Sequence, residues 1–395
     1  MIPTLRKHFN ENFTPDKYQA FLRRMDDACG THVHFRLSET PCFFPKELID
    51  RMARAGKELI RQLVDNPAYR AKSEEAVPAE FKVPNEPDHP MFVQVDFGLV
   101  RDAAGELQPK LVELQAFPSL YAYQGPLAEA YIEVYGLDGW LKYFLSGLDT
   151  SSYRELLRRA IVGAHDPENV ILMEIDPSHQ KTLPDFLLTE KMLGVRTVDI
   201  VDIRKEGAHL YYERGGKRIP IRRIYNRAIV DELERKHVKL GFDWRDNLDV
   251  EWAGHPNWYF RISKFSIPYL QHASVPKTWF LDRLPEIPAD LENYALKPLY
   301  SFAGLGVVIA PTKEDIAAIP AEKRPYYILQ ERMHFEPVIA TPLGGTKAEV
   351  RVMYVWLEEL KAVMTIIRMG RGLMMGVDHN KNMEWVGASA GLYLE

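Results

Sequence analysis

The sequence predicts an α/β fold in a chain of 395 residues, which is long enough for two to three domains. Three observations support this fold class. Apolar residues recur at helical spacing before residue 75, and a strand-helix-strand pattern occupies residues 170–203. The segments 92–115 and 349–368 have the alternating pattern of β-hairpins.

The composition is that of an ordinary globular protein. Apolar residues make up 46% and charged residues 27% of the chain, and the net charge of −5 argues against a general nucleic-acid binder. The two cysteines, Cys29 and Cys42, provide neither a disulfide framework nor a thiolate metal site. No run approaches the roughly 18 apolar residues of a membrane span. We therefore expect a soluble, cytoplasmic protein with neither nucleic-acid nor membrane partners.

The first predicted region covers residues 1–150 and begins with helices. A stripe of apolar residues three or four positions apart, from Leu48 to Leu63, is typical of a helix packed on a core. Residues 77–90 contain four prolines, which remove backbone donors and disfavour helix, so this stretch is a predicted connector. Two strands are expected over 91–114 and a helix over 125–143.

The second predicted region, residues 151–255, has the order of a parallel sheet. The apolar run over 170–175 suits a buried parallel strand, and the following helical pattern closes at Gly194 before the next strand over 195–203. This β-α-β order predicts an open Rossmann-like sheet. The third region, residues 256–395, contains further strand patterns separated by glycine turns.

The hairpin over 92–115 brings acidic side chains together. If Ala104 and Gly105 form the centre of its turn, Asp96 lies opposite Glu113, and Gln115 shares their face. Opposed carboxylates repel one another, so the arrangement suits a hard cation such as Mg²⁺, which prefers oxygen ligands. The alternative is a hairpin with solvated acids, whose register a bulge near Pro109 could shift.

A second candidate site lies over residues 294–309. Lys297 ends a predicted strand, and a turn of small residues follows it, with Ser301, Gly304 and Gly306. An ammonium and free backbone N–H groups can together surround a polyphosphate. The alternative is an ordinary glycine hairpin beside a surface lysine.

The segments after residue 326 suggest nucleotide and anion contacts. The strand over 327–331 could present backbone groups to an adenine edge, with Glu336 near a ribose. A turn centred on Glu358 and Glu359 would place Glu349 opposite Arg368, with Arg351 on the same face. Two arginines on one face suit a phosphate or a carboxylate, whereas a surface salt-bridge ladder is the alternative.

The remaining polar segments suggest a substrate pocket and exclude several enzyme classes. Residues 387–391 form a predicted small-residue loop, either close to a ligand or mobile at the C-terminus. With Ser119 and Tyr121, this loop is expected to line the substrate pocket. The sequence contains no nucleophile elbow, and His32 and His34 have no third metal ligand nearby in sequence.

Taken in chain order, these motifs resemble the ATP-grasp superfamily in a circularly permuted arrangement, similar to glutathionylspermidine synthase and its relatives. The resemblance covers about residues 91–391. It rests on short motifs in a consistent order: Val95-Asp96-Phe97, Glu113-Leu-Gln115-Ala-Phe-Pro118, Arg261 to Lys264 with Ser274 to Thr278, Leu296-Lys297-Pro298 to Gly306, Ile328-Leu-Gln330-Glu331, and Glu349-Val-Arg351 with Arg368. Gln115 stands where the family usually has Asn, and Gln94 where relatives often have Arg.

The resemblance implies α+β ATP-grasp lobes with an inserted Rossmann-like domain over 151–255. Permuted metal-binding strands would lie in 1–150 and the ATP-binding lobe in 256–395. It also implies an ATP- and Mg²⁺-dependent ligase that joins a small-molecule carboxylate to an amine through an acyl phosphate. The implied residues are Asp96, Glu113 and Gln115 for the metal, Lys264, Lys297, Ser301, Gly304, Gly306, Gln330, Glu331, Met333 and Glu336 for the nucleotide, and Arg351 and Arg368 for catalysis.

Two other functions are compatible with parts of the sequence. The first is a nucleotide-binding regulatory or partner-binding module with the same fold but without turnover. The presence of both Asp96 and Glu113 favours the enzyme over this module. The second is a nicotinamide oxidoreductase based on residues 165–205, which lack the glycine fingerprint of dinucleotide-binding folds.

Overall fold

The computed structural model describes residues 1–137, 139–300 and 305–395. Its α-helices are α1 (Pro3–Asn12), α2 (Pro15–Cys29), α3 (Lys46–Val64), α4 (Pro67–Ser73), α5 (Gln124–Tyr135), α6 (Thr150–Ile161), α7 (Leu183–Leu193), α8 (Val230–Arg235), α9 (Asn257–Arg261), α10 (Lys313–Ala317) and α11 (Val377–Asn380). None of the helices formed by the described residues combines the length and the apolar character that a membrane crossing requires.

The strands formed by the described residues make four sheets. In chain order they are β1 (Cys42–Phe44), β2 (Phe92–Arg101), β3 (Leu107–Gln115), β4 (Val170–Glu174), β5 (Arg196–Asp199), β6 (Arg204–Glu206), β7 (His209–Arg214), β8 (Lys217–Ile221), β9 (Arg223–Asn226), β10 (Glu251–Ala253), β11 (Thr278–Phe280), β12 (Tyr294–Pro298), β13 (Val308–Ile309), β14 (Tyr327–Glu331), β15 (Ile339–Thr341), β16 (Gly344–Trp356), β17 (Leu360–Gly370) and β18 (Gly387–Tyr393). The fold is therefore mixed α/β, which is the fold class that the sequence predicts.

The largest sheet has the strand order β1-β18-β17-β16-β2-β3, with β15 beside β16. Its neighbouring strands are antiparallel except β1 and β18. Helix α3 packs on this sheet so closely that the Tyr354 hydroxyl donates to the Ala53 carbonyl at 2.9 Å. A Cβ on Gly56 would lie 2.0 Å from that hydroxyl oxygen, so the contact requires glycine in the helix.

A second sheet is parallel and has the order β10-β9-β4-β5. Helix α7 connects β4 to β5 and ends at Gly194, whose φ of 76° continues the chain in the left-handed conformation. Strand β4 lies inside this sheet and is buried along its whole length, which explains its nearly continuous apolar sequence. The predicted β-α-β order over residues 170–199 is present.

The third sheet, β11-β14-β12-β13, is antiparallel and presents Lys297 of β12 beside β14. A fourth sheet, β6-β7-β8, lies within residues 204–221. The third sheet matters for function because β12 and β14 lie across a cavity from a polar face of the largest sheet.

Both predicted hairpins form with the predicted pairs in register. Asp96 pairs with Glu113, and Glu349 pairs with Arg368. Each hairpin also contains a one-residue shift that the sequence analysis did not place, between Asp96 and Phe97 and between Met353 and Tyr354. The turn of each hairpin is centred half a residue before the expected position. The one-residue shift further along the strands compensates for this difference, so the predicted pairs still lie opposite each other.

Residues 387–391 belong to strand β18, so the prediction of a loop is wrong. The strand is buried throughout and pairs with β17 on one side and with β1 on the other. Its small residues make this position possible, because a Cβ on Gly391 would lie 2.5 Å from the Thr365 hydroxyl oxygen. These residues therefore allow close strand packing, and none of them is among the described residues that line the cavity beside the third sheet.

Candidate functional site

A cavity of about 380 Å³ separates the face of the largest sheet from the third sheet. We call it the central cavity. Its polar lining consists of Glu113, Gln115, Lys264, Lys297, Gln330, Glu331, Arg332, His334, Lys347, Glu349, Arg351 and Arg368. Its apolar lining includes Val112, Ala295, Val307, Ile309, Met333, Phe335, Leu373, Met374 and Met375. Among the described lining residues, six side chains are cationic lysines or arginines and three are acidic, so the cavity suits an anionic ligand with an apolar part.

Four neighbouring strands bring the charged residues together. Asp96 on β2 lies between its register partners Glu113 on β3 and Arg351 on β16. One strand further, Glu349 on β16 pairs with Arg368 on β17. Because paired residues share a sheet face, these side chains form one polar row across the sheet.

Asp96 is the centre of this row and is only 1% exposed. The Arg351 guanidinium donates to both carboxylate oxygens, with Nε 2.5 Å from Oδ1 and Nη2 2.7 Å from Oδ2, and Arg368 also donates to Oδ2. Burial alone would raise the pKa of Asp96, but the two arginines lower it below its usual value. Asp96 is therefore an ionised carboxylate that holds two guanidinium groups in place.

Arg368 links this carboxylate to a second acid. It forms an ion pair with Glu349, and both residues line the central cavity. Burial raises the pKa of Glu349 more than Arg368 lowers it. For Arg368, burial lowers the pKa, but Glu349 and Asp96 raise it by more. The Arg368 Nε is a buried donor without a hydrogen-bond acceptor in the described part of the chain. Buried donors usually have an acceptor, so a bound ligand is expected to provide one.

Glu113 is held more loosely than Asp96. Its two oxygens lie 3.6 Å from Lys264 Nζ and 3.6 Å from Arg351 Nη2, and a quarter of its side chain is exposed. Burial would raise the pKa of Glu113, but Lys264 is the first of the cations that lower it. The amide nitrogen of Gln115 donates to Gln94 Oε1 at 3.0 Å. Glu113 and Gln115 thus present oxygen atoms to the cavity.

The opposite wall contains a buried lysine and a buried amide. Lys297 Nζ donates to Gln330 Oε1 at 2.5 Å and to the Val112 carbonyl, at the bulge of β3, at 3.4 Å. Both partners are neutral, and burial lowers the pKa of Lys297 to about 8. The Gln330 Nε2 is a second buried donor with no acceptor among the described residues. This wall can therefore accept a ligand that carries both negative charge and a hydrogen-bond acceptor.

The structure brings together most, but not all, of the residues predicted for the site. Lys264, Lys297, Gln330, Glu331 and Met333 line the central cavity with Glu113, Gln115, Arg351 and Arg368, whereas Asp96 lies behind them. Gly306 and Glu336 are not among the described residues of the lining. Glu336 Oε2 instead lies 3.4 Å from Arg101 Nε. Ser301 and Gly304 lie outside the described residues.

The prediction that Tyr121 lines a pocket is wrong. Its side chain is 1% exposed, and its hydroxyl donates to the Tyr354 carbonyl at 2.8 Å within the core. Ser119 enters the site indirectly, because its backbone carbonyl accepts a hydrogen bond from Gln94 Nε2 at 2.7 Å.

Sequence reasoning missed Lys347 and Arg332, which also line the cavity. Lys347 precedes Glu349 by two residues on one strand, so the same alternation that selected Glu349 and Arg351 could have found it. Arg332 follows the last residue of β14. Because the chain leaves the sheet there, the alternation of strand residues no longer predicts on which side of the sheet the side chain lies.

The donor set fits a hard cation in part. In the described part of the chain, no group of three or more His, Cys, Asp or Glu side chains is arranged to hold a metal ion. Glu113 and Gln115 offer oxygens to the cavity, but the Asp96 carboxylate is bound by arginines. Asp96 as a metal ligand stays a prediction, which requires its carboxylate to exchange an arginine for the ion.

The similarity of this chain to known proteins lies in its fold. No family model matches the sequence, and no curated protein matches it. Among solved structures, the chain is similar to a glutathione synthetase-like effector (GSS30) from Globodera pallida in its apoform. The TM-score is 0.58 at 12% sequence identity, and the match covers 97% of this chain and 99% of that chain. The protein therefore has a fold similar to that of a glutathione synthetase-like effector.

Proposed function

We propose that the protein is an ATP- and Mg²⁺-dependent ligase that joins a carboxylate to an amine. The observation that carries this proposal is the composition of the central cavity, in which apolar side chains and an amide nitrogen with no acceptor among the described residues share one space with six lysine and arginine side chains. A nucleoside triphosphate has the same combination of an apolar base and a polyphosphate. The circularly permuted ATP-grasp arrangement, with the parallel sheet as a Rossmann-like insertion, is part of this proposal and is supported by the motif order and the similar fold.

The nucleotide would lie along the third sheet. Ala295, Ile309 and Met333 provide apolar surface for a base. Gln330 Nε2, for which the described residues provide no acceptor, can donate to a ring nitrogen. Lys297 and Lys264 would hold the phosphates. Both lie on the cavity wall, where reduced access of water strengthens charge-charge attraction.

Magnesium would be held by Glu113 and Gln115 together with phosphate oxygens, since Mg²⁺ is usually bound through few protein oxygens plus substrate phosphates. When bound, the ion would neutralise charge on the β- and γ-phosphates. Asp96 would also coordinate the ion if its carboxylate broke its hydrogen bonds to one arginine. If both ion pairs persist, Asp96 instead holds Arg351 and Arg368 in position.

Arg351 and Arg368 would act on the reacting groups. A carboxylate oxygen of the substrate bonds to the γ-phosphorus as the bond from γ-phosphorus to the bridging oxygen breaks, which yields an acyl phosphate and ADP. The amine nitrogen then bonds to the acyl carbon, and inorganic phosphate and a proton leave. The buried Arg368 Nε has no acceptor in the part of the chain that the structure describes, and a phosphoryl or carboxylate oxygen of the substrates would supply one.

The test is ADP formation from ATP and Mg²⁺ over a matrix of carboxylates and amines. A ligase sustains ADP formation over many turnovers only when both substrates of a cognate pair are present, and over those turnovers each ADP is matched by one amide and one phosphate. If the protein binds ATP but no pair in the matrix increases the rate of ADP formation, the ligase assignment is contradicted.

One observation favours a second candidate function, a nucleotide-binding module without turnover. Asp96, the first acid of the expected metal set, is already neutralised by two arginines. This module would bind ATP, and its ATP complex would have no higher affinity for Mg²⁺ than ATP has in solution. Calorimetric titration with ATP, with and without Mg²⁺, distinguishes the two functions.

A further inference from the structure

A buried chain of hydrogen bonds connects Gln115 to a residue that does not line the cavity. Gln94 on β2 is 0% exposed and pairs in register with Gln115 on β3. Its Oε1 accepts from Gln115 Nε2 at 3.0 Å and from Arg351 Nη1 at 3.1 Å. Its Nε2 donates to the Ser119 carbonyl at 2.7 Å. All polar atoms of the Gln94 amide are therefore engaged within the protein.

The ends of this chain determine the orientation of both amides. A backbone carbonyl can only accept and a guanidinium can only donate, so Gln94 must direct its nitrogen to Ser119 and its oxygen to Arg351. That oxygen needs a donor from Gln115, which must therefore turn its nitrogen toward Gln94. The carbonyl oxygen of Gln115 is then left for the central cavity, which Gln115 lines beside Glu113.

We infer that Gln94 is a positioning residue that holds the Gln115 amide with its carbonyl oxygen toward a divalent cation in the central cavity. This inference rests on the proposed function for the identity of the ligand. An unrestrained glutamine amide can present either its oxygen or its nitrogen, and only the oxygen can coordinate Mg²⁺. Residues that orient a metal ligand in this way typically contribute 10–100-fold to metal affinity.

The test measures Mn²⁺ affinity, by the electron paramagnetic resonance signal of free Mn²⁺, in protein saturated with a non-hydrolysable ATP analogue. Gln94→Met retains the shape of the side chain but removes its donor and acceptors, so we expect Mn²⁺ affinity to fall at least about tenfold. Affinity for the analogue without metal should change less than about threefold, because Gln94 does not line the cavity. The matched control is Gln124→Met: Gln124 is 2% exposed and donates to the Ser389 carbonyl at 3.1 Å, away from the cavity lining.

A second variant separates positioning from an anchoring role in the loop after β3. Gln94→Glu can still accept from Gln115 and Arg351 but can no longer donate to Ser119, so positioning predicts that Mn²⁺ affinity is retained. Anchoring predicts that it falls as in Gln94→Met. Should Gln94→Met not fold, as judged by its circular dichroism, Gln94→Glu decides alone: retained affinity supports the inference and a tenfold loss overturns it.

The outcomes also separate this inference from the proposed function. Wild-type protein that binds no Mn²⁺ with the analogue present would overturn both. Wild-type protein that binds Mn²⁺, with equal affinity in Gln94→Met, would overturn only the positioning role. In a Gln115→Met background, Gln94→Met should have no further effect, because Gln94 acts through Gln115.

Discussion

The buried Lys297 predicts that ATP binding is coupled to proton uptake. In the free protein, burial lowers the pKa of Lys297 to about 8, and its two hydrogen-bond acceptors are neutral. A bound polyphosphate would favour the ammonium and return this pKa to its usual value of about 10.4 or above. The complex therefore requires a protonated Lys297, which the free protein loses as the pH rises through about 8.

The magnitude follows from the two pKa values. Each pH unit above the pKa of the free protein and below that of the complex weakens ATP binding about tenfold, or 1.4 kcal/mol. The dissociation constant for ATP should therefore be about ten times higher at pH 9 than at pH 7. At pH 8 the free lysine is about half protonated, so binding takes up about half a proton.

Isothermal titration calorimetry tests this directly. Titrations at pH 8 in two buffers with different ionisation enthalpies give the number of protons taken up, and a series from pH 7 to pH 9 gives the slope. Lys297→Met should weaken binding at pH 7 and remove both the uptake and the slope. The matched control is Lys347→Met, which removes another cavity lysine, one that contacts the Gly372 carbonyl at 3.3 Å. A wild-type affinity that is constant from pH 7 to pH 9, or a slope that persists in Lys297→Met, would refute the reasoning.

Three further predictions follow from the buried charges. Asp96→Asn should lower the free energy of unfolding in urea by about 3–5 kcal/mol, since it leaves Arg351 and Arg368 without their carboxylate; an unchanged midpoint would show that these ion pairs do not form. Arg368→Lys should lower kcat with a cognate substrate pair by on the order of 10²–10³ and raise the Kd for ATP by much less, because the ammonium keeps the charge that attracts the phosphates but lacks the planar fork of donors; full kcat would remove Arg368 from the reaction. Burial raises the pKa of Glu174 to about 8, although Arg227 opposes the shift. The folded state thus keeps a proton on Glu174 that the unfolded chain loses near pH 4.3, so the free energy of unfolding falls as the pH rises from about 4 to about 8. Glu174→Gln should reduce this fall by up to about 5 kcal/mol. Urea titrations of both proteins at pH 4 and pH 8 measure the difference.

The pairs at the centre of the site could be predicted because they depend on local rules. Residues two apart on a strand share a face, and a tight turn relates the two arms of a hairpin, which is enough to place Glu113 opposite Asp96 and Arg368 opposite Glu349. The bulges could not be predicted, since a one-residue insertion depends on packing around the strand.

The partner of Asp96 is a long-range feature. Arg351 meets Asp96 because β16 lies beside β2, and 255 positions separate the two residues in the chain. From the hairpin alone, the acidic pair is expected to repel, so removing one charge should hold or raise apo stability. With Arg351 and Arg368 in contact, the same change should destabilise the protein. Similarly, the small residues of 387–391 suit either a loop or a crowded strand, and the segment is a strand because it pairs with β17 and β1.

The central claim is that the cavity between the two sheets binds ATP with its phosphates toward the arginine pair. A crystal structure with a non-hydrolysable ATP analogue and Mg²⁺ tests this most directly. We expect the base against Gln330, phosphate oxygens within hydrogen-bond distance of Lys297 Nζ and Arg368, and the ion beside Glu113 and the carbonyl oxygen of Gln115. An analogue bound outside this cavity, or bound within it with its phosphates away from Lys297 and Arg368, would contradict the account.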